Sequence, residues 1–90
     1  MSRRIAKSTA PAATAGLVKL IGQKVLLLCA NYFYAGTLRA VDAETAELEG
    51  AQIVYETGAW DAAQYATAEK LPGHLWSVRV ESIESYGIGK

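Results

Sequence analysis

The side chains that could do nucleophilic, acid–base or metal chemistry are few in this sequence and poorly spaced for it. His74 is the only histidine and Cys29 the only cysteine. Ser77 follows His74 by three residues, so on an extended strand the two side chains point to opposite faces and cannot form a nucleophile–base pair. One histidine and one cysteine also fall short of the ligand set of a zinc site. We therefore expect no catalytic residue, no metal, no cofactor and no enzymatic activity.

The basic residues are the next candidates for chemistry, because they are separated from the acids along the chain. Residues 1–41 carry six basic groups and no acid, whereas residues 42–90 carry all nine acids and three basic groups. The net charge is zero, yet this asymmetry favours a basic surface that attracts a polyanion such as nucleic acid. A basic solvated tail beside an ordinary surface is the alternative. The candidate contacts in this half are Arg3, Arg4, Lys7, Lys19, Lys24 and Arg39.

An aromatic run, Tyr32, Phe33 and Tyr34, offers a second kind of contact. Successive side chains alternate on a strand, so at least one of these rings should face outwards. Tyr32 is the candidate for stacking on the bases of a single strand. Packing against the helix or a neighbouring subunit is the favoured interpretation of these rings. Trp76 is likewise expected in the core or at an interface, and Trp60 is expected to anchor an insertion.

The elements that must position these residues are mostly strands. Ninety residues make one small domain, and domains of this size often gain stability by oligomerising. Residues 1–15 predict a flexible basic tail, and the spacing of Leu17, Leu20 and Ile21 predicts a short helix that ends at Gly22. Gly36, in mid-strand, predicts a sharp bend or a close backbone approach, and a bulge is expected near Gly50. The predicted strands span 25–30, 32–41, 46–56, 75–79 and 82–86.

A long connection separates the third and fourth strands. It covers about 57–74 and lies between two turn signals, Thr57-Gly58 and Pro72-Gly73. Its alanine-rich part predicts a helix over 62–70 with Asp61 as its cap. We therefore expect one barrel domain over 16–90 with this insertion, which could contact a protein partner. Because no apolar run approaches the length of a membrane span, we also expect no membrane contact and a cytoplasmic location.

Two stretches of the sequence resemble the motifs of the Sm/LSm family, which includes the bacterial Hfq branch. Residues 34–42 read Tyr-x-Gly-x-Leu-x-x-Val-Asp, which is the more specific part, and residues 78–83 resemble the second motif less closely. The similarity covers about 17–56 and 75–87. It implies a mainly β fold, with a short N-terminal helix and a strongly bent five-stranded barrel. It also implies a closed homo-oligomeric ring of five to seven subunits, in which the fourth strand of one copy pairs with the fifth strand of the next.

The family's uridine pocket is altered at the positions that matter for binding. In the family, a stacking residue lies two positions past the aspartate and an asparagine that reads the base lies four positions past it. Here these positions hold Glu44 and Ala46, which can neither stack on a base nor read its edge. The arginine of the second motif remains as Arg79, followed by Val80 and Glu81 in place of the usual glycine and polar residue. The Tyr-Lys-His signature of Hfq is absent.

Two functions remain open from the sequence. The first, which we favour slightly, is a ring that binds single-stranded nucleic acid, RNA more than DNA, by electrostatic attraction and without the uridine pocket. Arg79 joins the candidate contacts on this hypothesis. The second is a structural or adaptor ring, of phage or mobile-element type, that binds protein partners through 57–74 and no nucleic acid. A monomeric barrel of the SH3 or OB type is the alternative fold.

Overall fold

The computed structural model describes residues 14–90, and three candidate contacts, Arg3, Arg4 and Lys7, lie outside this part. Within it, no helix has the length and apolar character needed to cross a membrane. Residues 14–18 are helical, and residues 80–82 form one turn of 3-10 helix. The division into a tail over 1–15 and a domain over 16–90 stays a prediction. The strands are β1 (Lys24–Cys29), β2 (Phe33–Val41), β3 (Thr45–Glu56), β4 (Thr67–Lys70), β5 (Leu75–Arg79) and β6 (Ile83–Ile88).

The N-terminal helix packs against the core, but it ends at residue 18, and turns cover residues 19–22 up to the predicted end at Gly22. Leu17 is buried in the main core cluster, and Leu20 packs against the same cluster. Gly22 follows with a φ of 95°, a left-handed conformation that glycine adopts without steric cost. Its amide donates a 2.7 Å hydrogen bond to the carbonyl oxygen of Leu38. This bond ties the end of the helical segment to the second strand.

All six strands belong to one antiparallel sheet, in the order β4-β3-β2-β1-β6, with β5 also paired to β3. The first half of β3 pairs with β5 and the second half pairs with β4. Strands β4 and β5 therefore occupy the place of one long strand, interrupted at residues 71–74. The mainly β fold with a short helix and a bent sheet is confirmed, with the predicted fourth strand present as β5 and the β4 segment added to it.

The sheet bends where β2 pairs with β3 at Gly36, the mid-strand glycine at which the sequence predicts a bend. The β2–β3 register shifts there, so that Gly50 and Ala51 both lie opposite Gly36. Gly50 has a φ of 62°, as expected for the first residue of a glycine bulge. A Cβ atom on Gly36 would lie 3.1 Å from the carbonyl oxygen of Glu49 and 3.2 Å from the Cα atom of Ala51. Both the predicted bulge and the predicted close approach are confirmed.

The apolar run in β1 is buried on both faces of the sheet, which explains its unbroken hydrophobic character. Its odd-numbered residues enter the larger cluster, and Leu26 enters the smaller one on the opposite face. Cys29 is a buried, free thiol in the larger cluster. The larger cluster contains Leu17, Val25, Leu27, Cys29, Leu38, Ala46, Leu48, Ala51 and Val78, and the smaller one contains Leu26, Ala35 and Val54.

The long connection is a strand and a loop, and the prediction of a helix over 62–70 is wrong. Residues 60–66 form turns and bends, and Thr67–Lys70 is β4. Pairing with the edge of β3 satisfies the backbone of these residues, and this long-range pairing outweighs the helix propensity of alanine. Tyr65 packs against the smaller cluster and so covers the outer face of the sheet. Trp60 is 69% exposed, so its predicted role as an anchor is wrong.

The last residues hold this loop in place. The amide of Gly89 donates to the carbonyl oxygen of Lys24 over 2.8 Å. The Nζ ammonium of Lys90 donates to three loop carbonyl oxygens, at 2.8 Å for Ala59, 3.1 Å for Thr57 and 3.3 Å for Gln64. The loop that covers the outer face is thereby fastened to the strand β6 that precedes Lys90.

Candidate nucleic-acid interface

The two motif turns lie next to each other, at the start of β3 and the end of β5. The Oδ1 atom of Asp42 accepts hydrogen bonds from the amides of Glu44, at 2.7 Å, and Thr45, at 2.8 Å. These bonds stabilise the carboxylate, so the pKa of Asp42 is lowered, chiefly by the Thr45 amide and then by that of Glu44. The amide of Val80 donates to the carbonyl oxygen of Glu44 over 2.9 Å. The Asp42 turn therefore positions the Arg79 turn.

The groove at these turns is acidic. It is lined by Glu44, Arg79 and Glu81 together with small residues. The Nη2 atom of Arg79 lies 2.7 Å from Oε2 of Glu81, so the only cation in the lining is already paired with a carboxylate. The remaining carboxylate, that of Glu44, repels phosphate. The groove therefore lacks both the base-reading groups and the charge that a nucleic acid needs.

The Asp42 turn gives a pH-dependent contribution to stability. Because folding lowers the pKa of Asp42, its contribution is present above the carboxyl's unfolded pKa and is lost as the pH falls through the folded value. Asp42→Ala should therefore lower the thermal midpoint at pH 7 and lower it less at about pH 2.5. Asp42→Asn, which keeps the Oδ1 acceptor, should retain more of the stability. Circular dichroism measures the thermal midpoint of each variant. If Asp42→Ala lowers the midpoint equally at both pH values, this account is contradicted.

A second groove brings together two of the predicted contacts, Tyr32 and Arg79. It has a volume of about 340 Å³, and Tyr34 and Trp76 contribute two further aromatic rings to its lining. No Asp or Glu of the described residues lines it, and the Asn31 side chain adds a polar group at its edge. We refer to it as the aromatic groove. Tyr34 was not among the predicted contacts, although its spacing of two residues from Tyr32 indicates a shared face.

The other predicted contacts do not join this groove. The guanidinium of Arg39 lies 3.3 Å from Oε1 of Glu49, and Nε2 of His74 lies 3.4 Å from the other oxygen of the same carboxylate. Lys24 lines a separate cavity with Lys90, and Lys19 is exposed in the turn after the helix. Residues 14–90 contain six basic and nine acidic residues, which gives this part a net charge of −3 with neutral histidine. A continuous basic surface is not formed within it.

The described residues also offer no evident metal centre. Nowhere in 14–90 do three or more His, Cys, Asp or Glu side chains converge in a way that could hold a metal ion. The thiol of Cys29 is held in its neutral form, because burial and then the nearby carboxylate of Glu84 raise its pKa. The buried thiol therefore has the character of a small core residue.

Comparison with solved structures identifies the architecture. An archaeal Sm protein whose crystal structure is described as a heptamer superimposes with a TM-score of 0.63, covering 84% of this chain and 98% of that chain at 22% identity. The chain has an Sm-like fold. The P. aerophilum SmAP1 heptamer gives a TM-score of 0.62, 22% identity and coverage of 84% and 90%. A chain in the structure of the NatC complex bound to CoA gives 0.56, 21% identity and coverage of 82% and 84%.

Structural similarity therefore shows the Sm-like fold, although the sequence identity to these structures is only 21–22%. No protein-family model matches the sequence, and no curated protein matches it. The resemblance drawn from the two motifs is confirmed by the structural neighbours. In this Sm-like chain the two motif turns carry Glu44 and Glu81, which line the acidic groove between them.

Proposed function

We propose that this Sm-like protein is a structural adaptor that works as a closed ring of identical subunits. The observation that carries the proposal is a pair of unpaired strand edges. In the described part of the chain, β5 pairs only with β3 and β6 pairs only with β1. Unpaired edges invite a further strand, and a head-to-tail contact that rotates to closure leaves no edge free.

The side chains on β6 favour a copy of the protein as the source of that strand. Ile88 lies opposite Val25, and Tyr86 lies opposite Leu27, so each pair shares one face of the sheet. Val25 and Leu27 are fully buried, whereas Tyr86 is 39% and Ile88 62% exposed. The core-facing side of the sheet therefore continues onto β6, where the N-terminal helix reaches Tyr86 at Gly16 but leaves Ile88 largely exposed. A neighbouring subunit could cover Ile88.

Strand β5 has the matching character. Trp76 lies opposite the buried Leu48, and Val78 lies opposite the buried Ala46, so both face the core. If β6 of one copy is added to the edge of β5 of the next, the core-facing rows of the two strands come side by side. Tyr86 and Ile88 would then pack beside Trp76 of the neighbour. The two heptameric Sm structures that the fold resembles are consistent with such an assembly.

The charges favour an adaptor over a nucleic-acid-binding ring. The groove at the motif turns is acidic, and each of the arginines Arg39 and Arg79 is paired with a glutamate. Residues 14–90 carry a net charge of −3, and only the three basic residues before residue 14 bring the whole chain to zero, so the folded part does not attract a polyanion. The exposed Trp60, in the loop after β3, is a side chain of the type that often anchors protein contacts. A protein partner could bind there.

Light scattering of the purified full-length protein tests the ring. The expected mass is five to seven times the 9.6 kDa of one chain, and the value should persist on dilution into the micromolar range. A folded species of about one chain mass would overturn the proposal, and it would favour the monomeric barrel considered from the sequence.

Single-stranded nucleic acid remains the second candidate ligand, because Tyr32 and Arg79 meet in the aromatic groove. On this alternative, Arg79→Ala should weaken the retention of single-stranded RNA in a filter-binding assay about tenfold at low salt, and retention should fall steeply as salt rises. On the adaptor proposal, neither the wild type nor Arg79→Ala retains the RNA at either salt concentration. Lys70→Ala, which changes an exposed cation on β4 outside the groove, is the matched control.

A further inference from the structure

A small groove next to the aromatic groove shares Asn31 and Tyr32 with it and is lined mainly by aromatic and apolar side chains. It has a volume of about 200 Å³ and is lined by Asn31, Tyr32, Phe33, Val54 and Tyr55. The rings of Tyr32 and Tyr55 meet edge to face, with centroids 6.4 Å apart and planes at 84°. Both tyrosines are about half exposed, at 48% and 50%. We refer to it as the tyrosine groove.

A carboxylate stands at the edge of this groove. The hydroxyl of Tyr55 donates to Oε1 of Glu69 on the neighbouring strand β4, over 3.3 Å. Among the described residues, the lysines and arginines that form an ion pair with a carboxylate are Arg39 and Arg79. Neither arginine lines the tyrosine groove. Glu69 therefore has no cationic partner among the described ion pairs. Aromatic faces beside an unpaired carboxylate suit a planar cation.

We propose that the tyrosine groove binds a guanidinium group, and that its occupant is Arg3 or Arg4 of the same chain. The guanidinium would lie against the face of one of the two tyrosine rings, beside the edge of the other, and pair with Glu69. The N-terminal segment has the matching charge, since it carries three basic residues and no acid before residue 14. The groove thus becomes the docking site of the basic tail.

The tail is long enough for this contact. Nine residues lie between Arg4 and Thr14, where the described structure begins, and the ten Cα–Cα steps of an extended chain span up to about 3.4 Å each, or roughly 34 Å. The described contacts lead from Thr14 to the groove over a few residues, since Gly16 meets the Tyr86 hydroxyl and Leu27 lies between Tyr86 and Tyr34, two residues from Tyr32. The inference does not depend on ring formation, because the groove and the tail belong to one chain.

Limited digestion of the full-length protein with trypsin tests the proposal, since trypsin cleaves after arginine. Docking should slow cleavage after Arg3 and Arg4 relative to a free peptide of residues 1–13. A cation–π contact and an exposed ion pair together correspond to about three- to tenfold protection. Glu69→Gln and Tyr55→Leu should each abolish most of this protection at low salt, and about 1 M salt should do the same to the wild type.

Glu84→Gln is the matched control, because it removes an exposed carboxylate from β6 and should leave the cleavage rate unchanged. Circular dichroism verifies that each variant is folded. Equal cleavage of the wild type and Glu69→Gln at low salt would overturn the proposal, as would wild-type cleavage as fast as that of the free peptide. Because the readout is cleavage of the tail, a failed ring assembly would leave the result interpretable.

Discussion

Replacing Ile88 with glutamate should convert the proposed ring into folded single chains. Ile88 is 62% exposed in one subunit, so the subunit itself can accept a charge at this position. In the ring the same side chain would lie between β6 of one copy and β5 of the next. An unpaired carboxylate buried there costs about 3 kcal/mol or more per contact, which weakens each contact by more than about a hundredfold.

Light scattering measures this effect directly, with circular dichroism on the same sample to verify folding. The expected mass of Ile88→Glu is near 9.6 kDa, against five to seven times that value for the wild type. Val18→Glu is the matched control, because Val18 is 47% exposed on the N-terminal helix and belongs to neither β5 nor β6. If Ile88→Glu keeps the mass of the wild type, the β6 edge is not the contact between subunits.

Adding one methyl group at the bend of the sheet should cost a large part of the stability. In Gly36→Ala the new Cβ atom would approach the Glu49 carbonyl oxygen to 3.1 Å and the Ala51 Cα to 3.2 Å. Both are main-chain atoms, so relief requires a shift of β3 against β2. We expect the free energy of unfolding to fall by about 1–3 kcal/mol, as in other overpacked sites.

Gly87→Ala provides the comparison for this change. Gly87 is also a strand glycine, but a Cβ atom there would have no neighbour within 4 Å. Its substitution should change the free energy of unfolding by less than about 0.5 kcal/mol. Urea unfolding at one fixed protein concentration measures both variants, because assembly would make stability depend on concentration. Equal effects of the two substitutions would show that the close approach at Gly36 does not limit the bend.

The sequence contains enough to predict five of the six strands, the bend and the turn, because these depend on local signals. Gly36 marks the bend, Gly50 marks the bulge opposite it, and Asp42 forms the turn that the motif predicts. The helix expected over 62–70 was wrong because β4 is held by β3, an interaction across the chain that alanine propensity cannot report. Trp60 was misjudged for a related reason, since Tyr65 is the aromatic residue that covers the outer face.

The candidate site could be predicted only in part. Tyr32 and Arg79 do line one groove, although they are far apart in sequence, and the resemblance to the Sm motifs was the signal for Arg79. The pairing of Arg39 with Glu49 could not be read from the sequence, because it depends on the β2–β3 register, which two bulges shift. Whether the candidates bind nucleic acid stays a prediction.

The two-sided burial of β1 has a consequence for how its position in the sheet is determined. In most antiparallel strands, a register shift by one residue would expose the apolar side chains to water. The free-energy cost of that exposure selects one register. For β1 either alignment presents leucine and valine to both sides, so hydrophobicity alone selects neither. We infer that hydrogen bonds at the two ends of β1 determine its alignment. The amide of Cys29 donates to the carbonyl oxygen of Tyr32, and the amide of Gly89 donates to the carbonyl oxygen of Lys24. These two hydrogen bonds therefore fix the register of β1, which in other antiparallel strands is fixed by a polar face.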